Sequence, residues 1–291
     1  MITKNINLKN FNIKNIKINK QLINKLKDLL KSKQEIINSL GQEYKKKYIL
    51  NKLKYLSKFR KIRLIGMGGS ILGAKAIYNF LKHKIKKKFY FIDNITSDSK
   101  KKEDIKFFNL IISKSGNTLE TIINSNIFIN KKNTNIFITG NKNSYLYSLA
   151  EKMKSKIIEH NNYIGGRYSI LSEVGMLPAD LMGLKTNNFK QLNNLVKNQV
   201  YLNSIIKNVS SILFFIKYKK FNSVVINYDQ NSESLLLWYQ QLVAESLGKK
   251  GKGIFPIISS MPKDNHSLMQ LYLDGIKNNF FIFFYSFKKN S

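Results

Sequence analysis

The chain has 291 residues, 43% of them hydrophobic, which is enough for one large core or two ordinary ones and excludes wholesale disorder. Fifty Lys and Arg against 17 acidic residues give a formal net charge of +33, but only Arg60, Arg63 and Arg167 are arginine, and the lysines travel with Asn, Ile, Phe and Tyr. Readers of base edges lean on arginine forks, so the charge is read as a lysine-coated surface from an A/T-rich genome, with no nucleic-acid partner expected, and the absence of cysteine excludes disulfides, thiolate metal sites and cysteine nucleophiles.

Residues 1–20 alternate apolar and polar side chains and never supply the continuous apolar run of a signal peptide. Helix-like spacing from Gln21 through Leu56, with Gly41 the one glycine, makes residues 1–58 a helical segment. The pattern then changes. Short apolar runs at Ile62 to Ile65, Phe89 to Ile92, Phe107 to Ile112, Asn135 to Thr139 and Lys156 to Ile158 predict strands, and Ile71 to about Leu81 predicts a helix among them. Strands alternating with helices imply a parallel sheet with both faces covered. The best break lies near Gly183 to Asn188, closing a first α/β domain at 59–186. A second, at 187–291, reads as a long helix from Asn187 to about Lys217, a strand at Ser223 to Tyr228, a helix at Ser232 to Leu247, and two or three strands in all. The longest strongly apolar run, Phe280 to Tyr285, is too short to cross a bilayer as a helix, so no membrane attachment and a cytoplasmic location are expected.

Five segments carry chemistry. Gly66-Met67-Gly68-Gly69-Ser70-Ile71-Leu72-Gly73 joins a strand to a helix, where glycines let amides approach an anion or let elements pack tightly; it lacks the spacing of the dinucleotide fingerprint and the Gly-Lys-Ser/Thr of a P-loop. Ser113-Lys114-Ser115-Gly116-Asn117-Thr118-Leu119-Glu120-Thr121 sets hydroxyls and a cation at a helix start, suited to phosphate, or else to simple capping by Thr118 and Thr121. In Gly165-Gly166-Arg167-Tyr168-Ser169, one of the three arginines offers charge in a fixed plane, for a ligand or a structural salt bridge. Gln241 and Glu245 lie four apart on one helical face, ahead of a glycine-lysine loop; Glu245 is a candidate general base or a solvated carboxylate. Asp264-Asn265-His266-Ser267 is expected to open the helix Leu268 to Leu273, where His266 would tend to be neutral and able to exchange a proton, or would be a surface or capping histidine.

The order and spacing of GMGGSILG, SKSGNTLET, GGRYSILSEVGMLPADLMG, QLVAESLGKKGKG and DNHSLMQLYLDG, from about Ile62 to Phe287, closely resemble the glucose-6-phosphate isomerase family in its short bacterial form. The resemblance implies an α/β fold of two sugar-isomerase (SIS) type parallel sheets flanked by helices, the second incomplete here. It implies interconversion of glucose 6-phosphate and fructose 6-phosphate through a cis-enediol, with no metal and no cofactor, by a homodimer. Position by position, it assigns substrate binding to Gly69, Ser70, Ser113, Lys114, Ser115, Thr118 and Gln241, proton transfer to Glu245, enediolate stabilisation to Arg167, and ring opening to His266 reaching across the dimer interface. Two alternatives stay open: a broader phosphosugar isomerase that also takes mannose 6-phosphate, and a non-catalytic phosphosugar-binding SIS protein. Two departures are visible. Ser115-Gly116-Asn117-Thr118 stands where many members have Thr-Phe-Thr-Thr, and the family's terminal helix with its lysine has no counterpart, so a C-terminal truncation and an open apolar sheet edge are expected.

Overall fold

The structure, a computed structural model, describes residues 20–95 and 107–287; the alternating stretch at the start of the chain lies outside the described residues. Two short helices come first, α1 (Lys20–Lys31) and α2 (Glu35–Ser39). The single long pattern expected through Leu56 is broken. Gln34 is extended, and the next regular piece is a 3-10 helix, Leu50–Lys58, that buries Leu53 and Leu56. Leucines three apart suit the three-residue turn of a 3-10 helix as well as they suit an α-helix. The chain forms two compact units, one of Glu43–Phe189 and the other of the described residues up to Gln42 with Lys190 onward.

The first unit alternates β1 (Lys61–Ile65), α3 (Leu72–Phe80), β2 (Lys88–Ile92), β3 (Phe108–Ile112), α4 (Leu119–Phe128), β4 (Thr134–Thr139), α5 (Tyr145–Lys152), β5 (Lys156–Glu159) and α6 (Glu173–Leu181). All five strands are parallel, in the order β2-β1-β3-β4-β5. The period of two divides each strand between two cores. Ile62, Leu64, Phe108, Leu110, Ile112, Ile136 and Ile138 meet α3 and α6 through Ala74, Ile77, Val174 and Leu177. Ile65, Ile111 and Phe137 meet α5 through Leu146 and Ala150.

On that second face the row nearer the strand starts is polar. Arg63, Asn109 and Asn135 are lateral neighbours in β1, β3 and β4. Arg63 Nη1 donates to Asn109 Oδ1 at 3.3 Å and to Phe128 O at 3.1 Å, and Asn109 Nδ2 donates to Asn135 Oδ1 at 2.8 Å. The buried guanidinium also lies 4.1 Å and 4.8 Å from the ring centres of Phe107 and Phe128. Arg63 is therefore structural, held by aromatic faces and carbonyl oxygens. Arg63→Ala leaves those acceptors unpaired and is expected to cost about 2–4 kcal/mol in urea unfolding, with Arg63→Lys recovering only part because an ammonium lacks the plane.

The 44–48 segment clamps α6 through two buried acids. Glu173 accepts from Tyr44 Oη at 2.9 Å and Lys47 N at 3.2 Å; Asp180 accepts from Tyr48 Oη at 2.5 Å, Lys46 Nζ at 2.9 Å and Thr186 Oγ1 at 2.9 Å. Burial, and then the bond to Asp180, push the Tyr48 hydroxyl well above the usual tyrosine range.

The second unit continues with α7 (Leu192–Leu195), α8 (Gln199–Lys217), β6 (Asn222–Asn227), α9 (Glu233–Leu247), β7 (Phe255–Ser260), α10 (Lys263–Ser267), α11 (Met269–Asp274) and β8 (Asn279–Phe284). The long helix expected from Asn187 is broken into α7 and α8, and α8 is begun by Asn198, whose side chain accepts from Tyr201 N. Three parallel strands run in the order β7-β6-β8 over Val224, Ile226 and Met261, with Phe215 stacked on Phe280 at 4.9 Å. The run Phe280 to Tyr285 supplies β8, an edge of this sheet, and its Phe283 is 64% exposed. Among the described residues no helix is long and apolar enough to cross a membrane.

Candidate functional site

Because the strands of the first unit are parallel, the loops leaving their C-terminal ends share one rim. The strand order reverses between β1 and β3, and in such sheets a ligand crevice opens outside the strand ends at that point. A cleft of about 430 Å³ lies there, lined by Ser70 after β1, Lys114, Ser115 and Thr118 after β3, Gly140 and Asn141 after β4, and Asn162 after β5. Lys114 is the one charged side chain in that lining. One cation, three hydroxyls, the Asn141 carboxamide and the adjoining start of α4 make a receptor for an anion with several oxygens.

The loop after β3 does not use its threonine hydroxyls to cap α4. Thr118 occupies the N-cap of α4 without a side-chain cap bond; its hydroxyl pairs with Ser113 Oγ at 2.9 Å instead. Thr121 is buried within α4. Ser113 is buried too and accepts from Gly116 N at 3.1 Å, so it braces the loop from behind while Lys114, Ser115 and Thr118 face the cleft. Gly116 has φ +68°, and a Cβ there would fall 2.0 Å from Ser144 Oγ, so this backbone has no place for a side chain such as phenylalanine. Asn117, the next departure, accepts from Tyr145 N at 2.9 Å and ties the loop to α5.

The first glycine turn is a 3-10 helix, Gly68–Ser70, that packs against a second, Gly166–Leu171. A Cβ on Gly69 would lie 2.2 Å from the carbonyl carbon of Gly166, so the glycines pack tightly, and the packing sets Ser70 on the cleft. Gly69 itself is buried against Gly166 and does not line the cleft. Ser169 Oγ bonds Gly166 O at 2.6 Å within the partner turn. Arg167 is half-buried, its guanidinium 4.6 Å from the ring centre of Tyr168.

In the second unit, Gln241 and Glu245 share a face of α9, as their spacing predicts, and Gln241 Nε2 donates to Glu245 Oε1 at 2.7 Å. Glu245 is exposed, in the last turn of that helix. His266 departs from expectation. It does not open the helix that follows but sits in the last turn of the short α10, exposed, ahead of α11. Asp264 explains this: it accepts from Ser260 N at 2.8 Å and Ser259 Oγ at 2.9 Å and so starts α10 immediately after β7. Burial raises the pKa of Asp264, but those hydrogen bonds outweigh it and hold the carboxyl below its ordinary range.

Gly140, Asn141 and Asn162 line the cleft without having been singled out in the sequence. The available signal was positional: each follows a predicted strand of a parallel sheet, and such strands end at one rim. His160, also passed over, is fully buried, with Nδ1 3.0 Å from Asn161 O. Burial pushes its pKa down to about 4, with the Lys114 charge acting in the same direction, so at neutral pH it adds no second cation beside the lysine.

A family profile described as phosphoglucose isomerase matches residues 17–254. A glucose-6-phosphate isomerase of Methanocaldococcus jannaschii is 36% identical over 80% of this chain and 62% of its own length. A probable glucose-6-phosphate isomerase of Methanococcus maripaludis is 31% identical over 87% of this chain and 63% of its own. The chain thus spans a little under two thirds of these curated relatives. A crystal structure of a glucose-6-phosphate isomerase from Chlamydia trachomatis superposes with a TM-score of 0.64 at 21% identity, over 79% of this chain and 50% of that one. The two helix-flanked parallel sheets are those of the sugar-isomerase (SIS) fold.

Proposed function

Since the chain belongs to the phosphoglucose isomerase family, we propose that it interconverts glucose 6-phosphate and fructose 6-phosphate, with residues 59–186 and 187–291 as its two sugar-isomerase domains. The observation that carries this reading is the cleft at the strand ends of the first sheet, with Lys114 and the hydroxyls of Ser70, Ser115 and Thr118 around a space that fits a phosphate and the adjoining sugar. The substrate's dianionic end is held there by charge-assisted hydrogen bonds, with Ser113 bracing the loop.

Chemistry follows in three steps. His266, supplied across a homodimer interface, assists opening of the ring. Glu245, oriented by its bond from Gln241, removes the proton from C2 of the open aldose; that electron pair forms the C1–C2 double bond of a cis-enediolate as the C1 carbonyl π pair moves onto O1, and once the hydroxyl proton has passed from O2 to O1 the C2 carbonyl forms while the same carboxyl returns the proton at C1. Arg167 stabilises the negative charge that develops on the enediolate oxygen, where a fixed cation lowers the barrier most.

A coupled assay that follows glucose 6-phosphate formed from fructose 6-phosphate tests the reading. Absence of turnover together with absence of inorganic phosphate binding removes it. Lys114→Ala is expected to raise the KM for fructose 6-phosphate about 10–100-fold with a much smaller change in kcat, because the lysine grips a group that does not change during the reaction. A loss confined to kcat would take Lys114 out of phosphate binding.

A further inference from the structure

Beyond the ends of β3, β4 and β5 the parallel ladder continues through the loops. Ser113 N donates to Ile138 O, Gly140 N to Lys114 O and His160 N to Thr139 O, each at 3.0 Å. The following carbonyl, Gly140 O, receives a side chain: Asn162 Nδ2 donates to it at 3.1 Å. The fit is close, since a Cβ on Gly140 would fall 2.1 Å from Asn162 Oδ1. Gly140 is therefore gripped twice, by Asn162 at its carbonyl and by Lys114 O at its amide, and both Gly140 and Asn162 line the anion cleft.

We infer that Asn162 is a positioning residue of this cleft: its carboxamide supplies the outermost rung of the ladder and, through Gly140, fixes the main chain from which Lys114 reaches the phosphate. The inference rests on the phosphate-cleft reading above. A loop amide free to wander would let the 140–141 wall and the Lys114 backbone sample several positions, and binding would then carry the cost of ordering them. Asn162 is exposed and on a loop, so its loss acts on the cleft with little effect on folding.

The experiment measures inorganic phosphate binding by calorimetry and fructose 6-phosphate kinetics for the wild-type chain, Asn162→Ala, Gly140→Ala, and Asn162→Ala in a Lys114→Ala background. Asn162→Ala is expected to bind phosphate about tenfold more weakly and to raise KM by a similar factor, with kcat within about twofold and an unchanged unfolding midpoint. Gly140→Ala, whose methyl displaces the carboxamide, is expected to do the same. In the Lys114→Ala background, Asn162→Ala is expected to lower kcat/KM by less than about twofold, because it acts through the lysine. A full further loss there would mean that Asn162 touches the ligand directly and would overturn the positioning role. Undiminished phosphate binding by Asn162→Ala overturns it while leaving the phosphate cleft intact. A wild-type chain that binds no phosphate overturns both.

Discussion

If the chain is the proposed isomerase, Glu245→Gln is expected to lower turnover by about 10²–10⁴-fold while the KM for fructose 6-phosphate stays within about threefold. The substitution is nearly isosteric, and the new amide oxygen still accepts from Gln241 Nε2, so the α9 pair survives. Glu245 is exposed in the last helical turn, which makes the cost to folding small. What is lost is the carboxylate, which an amide cannot replace as a base. Steady-state kinetics beside a thermal melt separate the two effects. Turnover within threefold of wild type would remove Glu245 from proton transfer, and an equal loss in KM would make it a binding residue.

Gly69→Ala damages both fold and function. A Cβ at this position would meet the Gly166 carbonyl carbon at 2.2 Å, its oxygen at 2.3 Å and Arg167 N at 2.5 Å. Every one of these is a backbone atom, so no side-chain rotation relieves the contact, and the turns carrying Ser70 and Arg167 must separate. The expected cost is about 1–3 kcal/mol in denaturant unfolding, accompanied by loss of most activity. Gly165→Ala is the internal control. Its Cβ would come no nearer than 3.5 Å to the Tyr168 ring, and stability is expected to stay within about 0.5 kcal/mol of wild type. Equal tolerance of both substitutions would show that the two turns do not depend on their close approach.

Much of this architecture was legible in the sequence, for a reason that particular elements make plain. The strands Lys61–Ile65, Phe108–Ile112 and Thr134–Thr139 are covered on both faces, so each reads as a short apolar run, and the glycines between strand and helix mark where the chain turns. Helix ends were harder. The stretches before Leu56 and after Asn187 keep helical spacing through breaks that depend on local contacts, such as the cap by Asn198 and the buried 3-10 leucines, and spacing alone does not register these. His266 was misplaced within its segment because Asp264 bonds back to Ser259 and Ser260, a turn closed by residues on the preceding strand. Lys114, Ser115 and Thr118 stood out as a cluster of hydroxyls and charge. Asn141 and Asn162 did not, because they come from separate loops and meet at the cleft only once β4 and β5 lie side by side.

The polar row of Arg63, Asn109 and Asn135 also governs how the sheet assembles. Slide β3 two residues past β1 and Arg63 faces Ile111 instead of the Asn109 oxygen; slide it the other way and the guanidinium meets Phe107, again without an acceptor. Either misalignment takes the Asn109 oxygen from the guanidinium and breaks the polar row, whereas the isoleucines and leucines alone would tolerate the shift almost without penalty. One arginine thus acts as an indexing pin for three central strands, and because those strands end together, it sets from their far ends where the cleft loops after β1, β3 and β4 begin.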